Sequence, residues 1–342
     1  SANAAAAMFR QLTDVGIPAV MMRDEGSDAD AHPIDDGLAL DGTVDRDGDT
    51  YRLTAAITDL SSARVLWSQA FERDASDLMG IEGEAAHDTA SVLGCALRER
   101  SAAVRPMSLE VFALLLNACA GRLTLPQAEK AIEMTRHLVS QAPELAAAHA
   151  FLARALEVRA GQIDHLPEEV QSLRKEALAA ATRALAIDPK SVSAHLAMVA
   201  VLEPTTALTT REHHLRRALA IDPDHSGALD EFGHFLRRVG RIGAAREVFR
   251  RLESYTGGLI QGIILNGAQG DVQETKRLRE LLAGKRLSWA RGSHVMSAVF
   301  WEDPTQALRE LPQLSDNITV RGQTCVRLYL EALAEPTKPR RP

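Results

Sequence analysis

The sequence is poor in aromatic residues and contains no long apolar run. Aromatic residues make up 4% of the 342-residue chain, whereas hydrophobic residues as a whole make up 46%. Because alanine and leucine supply most of that apolar content, the composition is typical of closely packed helices and not of a β-sandwich. No stretch approaches the roughly 20 apolar residues that a membrane-spanning helix needs. The formal net charge of −7 argues against direct binding of nucleic acid.

Cysteine is also scarce, with only Cys95, Cys119 and Cys325 in the chain. Their odd number and wide spacing exclude a zinc ribbon and a disulfide-rich scaffold. We expect small buried thiols, and the spacing by itself does not settle the redox compartment.

Catalytic signatures are missing as well. The sequence contains no glycine-rich phosphate loop, no GxSxG nucleophile elbow, no HExxH zinc motif and no cysteine–histidine arrangement. Ser172 and Lys175 have the SxxK spacing, but they lie in an Arg- and Glu-rich segment without companion motifs. His213 and His214 are neighbours and so point to different faces of a helix, which indicates a surface pair. We therefore predict a protein that is not an enzyme and has neither cofactor nor metal.

The first part of the chain has the pattern of strands. Residues 4–12 fit a helix and residues 17–22 a buried strand. Asp47 and Gly48 lie between alternating segments, which predicts a hairpin because both turn positions must tolerate positive φ. The surrounding DRDGD run lacks the glycine and the acidic residue that a calcium loop needs later in its sequence. A second turn at residues 59–63 completes an antiparallel three-stranded meander, and a helix should follow over about 77–98.

The third strand of this meander contains the segment LWSQAF. Strand alternation places Trp67 and Phe71 on one side and Leu66 on the other. Since the aromatic side has more apolar area to hide, we expect Trp67 to be buried against the helix that follows.

The remainder of the chain repeats itself. The heptapeptide RALAIDP occurs at residues 183–189 and again, 34 residues later, at 217–223. In each copy Asp ends a helix and Pro opens the next one, where its missing N–H costs nothing. Pro143 stands in a similar context 46 residues before Pro189, which is one period plus a 12-residue insertion that should bulge between two helices. The pattern predicts stacked helical hairpins from about residue 107 to 335.

Alignment on the three prolines produces columns of matching residues in the first helix of each hairpin. A large position is followed by a small one and then by a leucine, as in Leu152, Ala153 and Leu156; Met198, Val199 and Leu202; and Phe232, Gly233 and Leu236. The small column should let paired helices approach, and the large ones should fill the layer between them. Arg211 stands where a small residue is usual, and His149 and His195 stand where a large aromatic residue is usual.

These columns resemble the tetratricopeptide repeat (TPR), most specifically between residues 120 and 257. The resemblance implies a TPR-type right-handed helical solenoid whose first helices line a groove for a partner peptide or protein. Its groove positions, carried over residue by residue, are Arg154, Glu157, Ser193, Glu203, Asp230, His234, Arg237 and Arg238. The last group should be able to hold a carboxylate of the partner.

The meander has a resemblance of its own. Its pattern is similar to the domain that resembles the amino-terminal domain of the TolB translocation protein, with Ala63 where glycine is usual. The matching residues are Gly42, Arg46, Gly48, Asp49, Arg52, Thr54, Asp59, Trp67 and Arg73. Such domains precede TPRs in the sensory halves of CadC-type membrane-anchored winged-helix transcriptional regulators and in TPR-bearing adenylate cyclases and kinases.

We therefore expect a mainly α protein with a small α/β TolB-amino-terminal-like domain at residues 1–100, a TPR-like domain at 101–335 and a tail at 336–342. The resemblances imply a non-enzymatic sensory or protein-interaction module of a signalling or transcriptional regulator. The alternative is a stand-alone TPR adaptor or scaffold of a cell-envelope or cytoplasmic complex. The chain starts SANAAAAM without an initiator methionine, which indicates either a tag remnant or a cut inside a longer protein. In the second case we expect an anchor or effector domain upstream of Ser1. The winged-helix resemblance favours the periplasm, and the cyclase resemblance the cytoplasm.

Overall fold

The structure is a computed structural model that describes residues 37–74, 78–103, 105–121, 128–163 and 167–284, with the single residues Arg327 and Glu331. The helix expected at 4–12, the strand expected at 17–22, the tail at 336–342 and Cys325 lie outside the described residues. The chain divides into two compact units, Ser1–Phe232 and Gly233–Pro342. The described part is mainly helical and starts with an antiparallel three-stranded sheet, which confirms the predicted fold class.

The sheet is the predicted meander, formed by β1 (Leu38–Asp47), β2 (Thr50–Asp59) and β3 (Arg64–Asp74) in that order. At the first turn Asp47 pairs with Thr50, and Gly48 has a φ of 58°, which its missing side chain permits. The DRDGD run is therefore a hairpin turn.

The second turn contains Ala63, which stands where glycine is usual in the pattern that the meander resembles. Ala63 has a φ of 52°, in the left-handed region that alanine normally avoids. Asp59 fixes the turn, because its Oδ2 accepts hydrogen bonds from the hydroxyls of Ser61 and Ser62 at 2.7 and 2.6 Å. The Ser62 amide N–H donates to the same oxygen at 2.8 Å. These bonds, led by that of the Ser62 hydroxyl, hold the pKa of Asp59 below its ordinary value.

Trp67 is buried, as predicted, with 4% of its surface exposed. It belongs to an apolar cluster formed by the sheet, α1 (Leu78–Ala102) and α2 (Leu109–Gly121). Leu66 is also buried, against the expected alternation. The reason is a bulge: Ile57 pairs with Trp67 and Thr58 with Val65, so Leu66 is an extra residue in β3.

The other helices follow one another in pairs. They are α3 (Ala128–Gln141), α4 (Ala146–Gly161), α5 (Pro167–Ile187), α6 (Val192–Val201), α7 (Leu208–Ile221), α8 (Ser226–Arg238), α9 (Ile242–Arg250), α10 (Thr256–Ala268) and α11 (Val272–Gly284). Helix α4 packs on α5, α6 on α7 and α10 on α11, and α4 also packs on α6. Residues of α8 belong to both compact units.

The proline register is visible at the start of three helices, but the prolines lie in the preceding turn, so the expectation that proline is the first residue of each helix is wrong. Helices α4, α6 and α8 each begin three residues after Pro143, Pro189 and Pro223, respectively. The expected bulge of the 12-residue insertion is wrong for the described part of the chain. The insertion mainly lengthens the helices on either side of it, so that α4 has 16 residues where α6 has 10, and α5 has 21 where α7 has 14.

The aspartate of each RALAIDP copy forms the same turn. Oδ1 of Asp188 accepts the amide N–H of Lys190 at 2.8 Å, and Oδ1 of Asp222 accepts that of Asp224 at 3.2 Å. Such a side-chain bond to the backbone two residues on competes with a further helical turn. The repeated heptapeptide therefore specifies a helix end and a chain reversal.

The predicted columns are buried to different degrees. The small column of Ala153, Val199 and Gly233 is buried throughout. Phe232, which was expected to fill the layer between the helices, is only half-buried, and the buried phenylalanines of this hairpin are Phe235 and Phe249. A Cβ added to Gly233 would lie 2.5 Å from Cζ of Phe249, whose ring is fully buried. The absence of a side chain at Gly233 thus lets α8 and α9 meet.

We expect Gly233→Ala to destabilise the protein by about 1–3 kcal/mol, because the new methyl group overpacks against the Phe249 ring. Gly243→Ala is the matched control, since a Cβ there meets nothing within 4 Å in a helix of the same unit. It should be neutral or stabilising by about 0.5–1 kcal/mol. Urea denaturation of both variants measures the difference, and equal free energies of unfolding would contradict the close approach.

Two cysteines form a disulfide, which corrects the expectation of free thiols. Cys95 of α1 is bonded to Cys119 of α2, with 6.0 Å between their Cα atoms. Both residues are buried in the cluster that contains Trp67. The bond therefore joins the helix that covers the sheet to the first helix of the repeat region.

Reduction of this disulfide should lower the free energy of unfolding by about 3–4 kcal/mol, the loop-closure value for 24 residues. Urea denaturation with and without dithiothreitol measures the loss. Alkylation of the unfolded chain without reductant should label only Cys325, whereas prior reduction should allow all three cysteines to react. Labelling of three cysteines without reductant would show that the bond is absent.

Candidate functional site

The predicted groove residues of the first unit bring charged side chains from distant helices together. Nη2 of Arg154 on α4 lies 3.8 Å from Oε1 of Glu231 on α8, and the two side chains are 30% and 34% exposed. Sequence reasoning named Arg154 and Asp230 but missed Glu231. Asp230 and Glu231 are adjacent acidic residues of α8, and nothing in the sequence separates them.

Glu157 is the least satisfied of these charged groups. Its Oε1 lies 3.5 Å from Nε of Arg174, whereas Oε2 is buried and accepts no hydrogen bond from the described residues. Burial raises the pKa of Glu157, and the nearby charge of Glu203 adds to the rise, against the opposing effect of Arg174. A donor supplied by a bound partner would therefore improve the environment of this carboxylate.

Ser193 does not lie on an open face, contrary to prediction. Its side chain is buried, and its hydroxyl donates a hydrogen bond to Oε1 of Glu99 on α1. The helix that covers the sheet thus also covers this position of α6. Glu203, just beyond the end of α6, is exposed and accepts a hydrogen bond from the hydroxyl of Thr205 at 3.1 Å.

The predicted groove residues that follow lie on α8. Asp230, in the first unit, is half-buried. In the second unit His234 is half-buried, and its ring meets that of Phe249 edge-on, with 5.5 Å between the centroids. Arg237 and Arg238 are exposed in the last turn, where their charge complements the negative end of the helix dipole. Two exposed guanidinium groups at one helix end can bind an oxyanion.

Arg211 departs from the repeat pattern because it caps a short helix. Its Nη1 donates hydrogen bonds to the carbonyl oxygens of Val199 and Leu202, the latter at 2.8 Å. These carbonyls lie at the end of α6, where the helix has no further N–H groups to offer them. A small residue at position 211 would leave them without this donor.

The two histidines that replace aromatic residues also bond to the turns. Nε2 of His149 and of His195 lie 3.0 and 3.1 Å from the carbonyl oxygens of Pro143 and Pro189. Since a carbonyl only accepts, Nε2 must carry a proton in each ring. Both histidines thus hold the start of their helix against the preceding turn.

His195 also contacts His214, which corrects the expectation of a surface pair. The two Nδ1 atoms lie 2.9 Å apart, and His214 is half-buried, whereas His213 is exposed. Because Nε2 of His195 carries the ring proton and donates it to the carbonyl oxygen of Pro189, Nδ1 of His195 accepts a hydrogen bond from the Nδ1–H of His214. Burial lowers the pKa of His195, and burial with the charges of His195 and His213 lowers the pKa of His214 to about 4.

Because the folded-state pKa of His214 is depressed, the unfolded chain takes up protons first on acidification. Stability should therefore be fully present above about pH 6.5 and should fall towards about pH 4. His214→Gln should reduce this dependence, since the amide still donates to His195 but does not titrate. His213→Gln should change it much less, because the charge of His213 is the smallest of the three causes that lower the pKa of His214. Urea denaturation at several pH values tests this, and equal pH dependence of the wild type and the His214 variant would contradict it.

Within the described residues, no group of three or more His, Cys, Asp or Glu side chains is arranged to hold a metal ion. The helices of the same residues include none with the length and apolarity required to cross a bilayer. No protein-family model matches the chain, and no curated protein is significantly similar to it.

Proposed function

We propose that this chain is a non-enzymatic sensory and protein-interaction module of a signalling or transcriptional regulator. It binds a partner peptide or protein segment through the polar side of the first helices, α4, α6 and α8. The observation that most supports this proposal is the approach of Arg154 to Glu231 at 3.8 Å, because charged, half-exposed side chains of α4 and α8 meet there.

The repeated turns support the TPR resemblance. Three first helices begin in the same register after a proline, and the aspartates of both RALAIDP copies make the same bond to the backbone. In a TPR protein this regularity places equivalent positions of successive first helices side by side. The exposed polar residues at those positions are candidates for partner binding, whereas Ser193 on α6 is covered by Glu99.

The chemistry of the surface favours a peptide with an acidic residue. In the second unit, Arg237 and Arg238 offer exposed guanidinium groups to a carboxylate, in charge-assisted hydrogen bonds. In the first unit, the buried Oε2 of Glu157 offers an acceptor to a backbone or side-chain N–H. An acidic side chain supplies the first kind of group, and any peptide N–H supplies the second.

The disulfide supports a location in the periplasm. Bonds such as Cys95–Cys119 persist in oxidising compartments and are rare in the cytoplasm. Rapid alkylation of cells followed by mass spectrometry tests the location: both cysteines should be protected until the sample is reduced. Labelling of both without reduction would favour the cytoplasm.

Replacing Arg237 and Arg238 together with alanine should weaken binding of an acidic peptide by at least about tenfold, the effect of losing a charge-assisted hydrogen bond of roughly 1.5–3 kcal/mol. Fluorescence polarisation with a pool of labelled acidic peptides measures the affinity. Arg216→Ala with Arg217→Ala is the matched control, because these residues are also adjacent and exposed but lie on the second helix of a hairpin.

The control variant should bind every peptide as the wild type does. If the Arg237 and Arg238 variant also keeps all its affinities, this end of α8 is not part of the binding site. Equal losses in both variants would indicate a general charge effect instead of a specific surface.

A further inference from the structure

The second unit contains a cavity of about 700 Å³ lined by residues of α9, α10 and α11 and of the segments that follow α9 and precede α11. A volume of this size is typical of sites for small molecules. The groove residues His234, Arg237 and Arg238 are not among its lining residues. The cavity is therefore distinct from the surface proposed for peptide binding.

Asn266 lines this cavity and is unusual for a buried helix position. Its side chain is 6% exposed, and its Nδ2 donates to the carbonyl oxygen of Gly262 at 2.8 Å. That bond fixes which end of the amide is the oxygen, and this oxygen, Oδ1, is buried and accepts no hydrogen bond from the described residues. An unsatisfied buried acceptor costs about 1–3 kcal/mol, whereas leucine at the same position would cost nothing of this kind. A buried acceptor without a donor calls for an explanation, and a bound ligand that donates to it is one.

An acidic residue, Asp271, follows the helix that carries Asn266 and lines the same cavity. The amide N–H of Asp271 donates to the main-chain oxygen of Asn266 at 2.9 Å, so the two residues are neighbours in space. Oδ1 of Asp271 accepts the N–H of Glu274 at 3.2 Å, and Oδ2 lies 3.0 Å from Nη2 of Arg246. This part of the cavity thus combines an acceptor without a donor with a carboxylate that can accept more bonds.

The rest of the lining carries both signs of charge. Its ionisable residues are Arg246, Arg250 and Arg277 and Glu247, Glu253, Asp271 and Glu274. Arg246 bonds to Asp271 just before α11, and Arg277 of α11 bonds to Glu253 at 2.8 Å and to Glu274 of its own helix at 2.6 Å. Each guanidinium has five N–H groups and keeps donors for a further acceptor. With three cationic and four anionic side chains, the lining matches neither a purely anionic nor a purely cationic ligand.

We propose that this cavity binds a small zwitterion that carries a primary ammonium group and a carboxylate, as a free amino acid or a short peptide does. The ammonium group donates hydrogen bonds to Oδ1 of Asn266 and to Asp271. The carboxylate accepts hydrogen bonds from Arg246 and Arg277. A ligand of this kind satisfies the buried amide oxygen and adds one charge of each sign, so the balance of the lining is kept.

Calorimetric titration of the full chain tests this proposal. The probes are the standard free amino acids and the dipeptide Ala-Ala, each compared with its N-acetylated and its C-amidated form. We expect at least one zwitterion to bind at millimolar concentration or below, and each blocked form to bind at least about tenfold more weakly, the loss expected for one hydrogen bond to a charged group. Binding of amino acids alone would identify a free metabolite as the ligand, and binding of the dipeptide alone would identify a peptide.

Substitutions distinguish ligand binding by Asn266 from a purely structural role of this residue. Asn266→Leu should abolish binding, because it removes the oxygen that accepts hydrogen bonds from the ammonium group of the ligand. It should also raise the melting temperature, because the same oxygen is unsatisfied in the free protein. Asn117→Leu is the matched control, since Nδ2 of Asn117 makes the same bond to a preceding carbonyl, that of Ala113 at 2.7 Å, in the first unit. It should leave zwitterion binding unchanged, as should the Arg237 and Arg238 variant used to test the peptide surface.

Three results would overturn the proposal. They are the absence of binding by every zwitterion at millimolar concentration, equal affinity for the blocked and unblocked forms, and unchanged affinity in the Asn266 variant. Because the blocked ligands are measured on the wild-type protein, the proposal stays testable even if Asn266→Leu fails to fold.

Discussion

The repeat region depends on a turn in which an aspartate side chain ends one helix and a proline precedes the next. Asp188 and Asp222 each accept the amide N–H two residues further on, which competes with continuation of the helix. The following helices then begin at the same distance from their prolines. Once the start of each first helix is fixed, 3.6 residues per turn decide which positions face the neighbouring helices and which stay polar.

The departures from the repeat pattern show how this arrangement is maintained where a residue does not fit. Helix α6 is short, and Arg211 from the next helix supplies donors to its last carbonyl groups. His195 replaces a large aromatic residue but donates to the carbonyl oxygen of Pro189, which holds the turn and the helix together. Gly233 has no side chain, and the ring of Phe249 fills the space that a side chain there would take between α8 and α9. In each case a local exception keeps the common geometry.

The N-terminal part and the repeats are not independent in the first unit. Helix α1 covers the sheet through the cluster that contains Trp67, and it is bonded to α2 by Cys95 and Cys119. Near its C-terminal end Glu99 accepts a hydrogen bond from Ser193 on α6. One long helix thus carries the core of the sheet domain, a covalent link and a contact on the predicted groove. A partner that binds the first helices must therefore share this face with α1.

Much of the fold could be read from the sequence, because the signals involved are local. Asp47 and Gly48 specify a hairpin through backbone conformation alone, and the repeated heptapeptide specifies where helices end. The alternation that buries Trp67 is also local, whereas the bulge that buries Leu66 depends on the pairing of β3 with β2. Local patterns predicted the elements and their order.

The candidate sites depended on contacts between residues distant in sequence. Arg154 was predicted from its register, but its partner Glu231 is 77 residues away, and no local pattern distinguishes it from Asp230. The disulfide was missed because two cysteines in different helices give no pairing signal until the helices pack. The burial of Ser193 and the unsatisfied oxygen of Asn266 likewise follow from which helix lies opposite. The sequence by itself determined the helices, the turns and their register, since these follow from backbone conformation and short-range hydrogen bonds. Only the tertiary structure decided which polar groups meet, which are covered and which are left without a partner, because desolvation and pairing are properties of the packed chain.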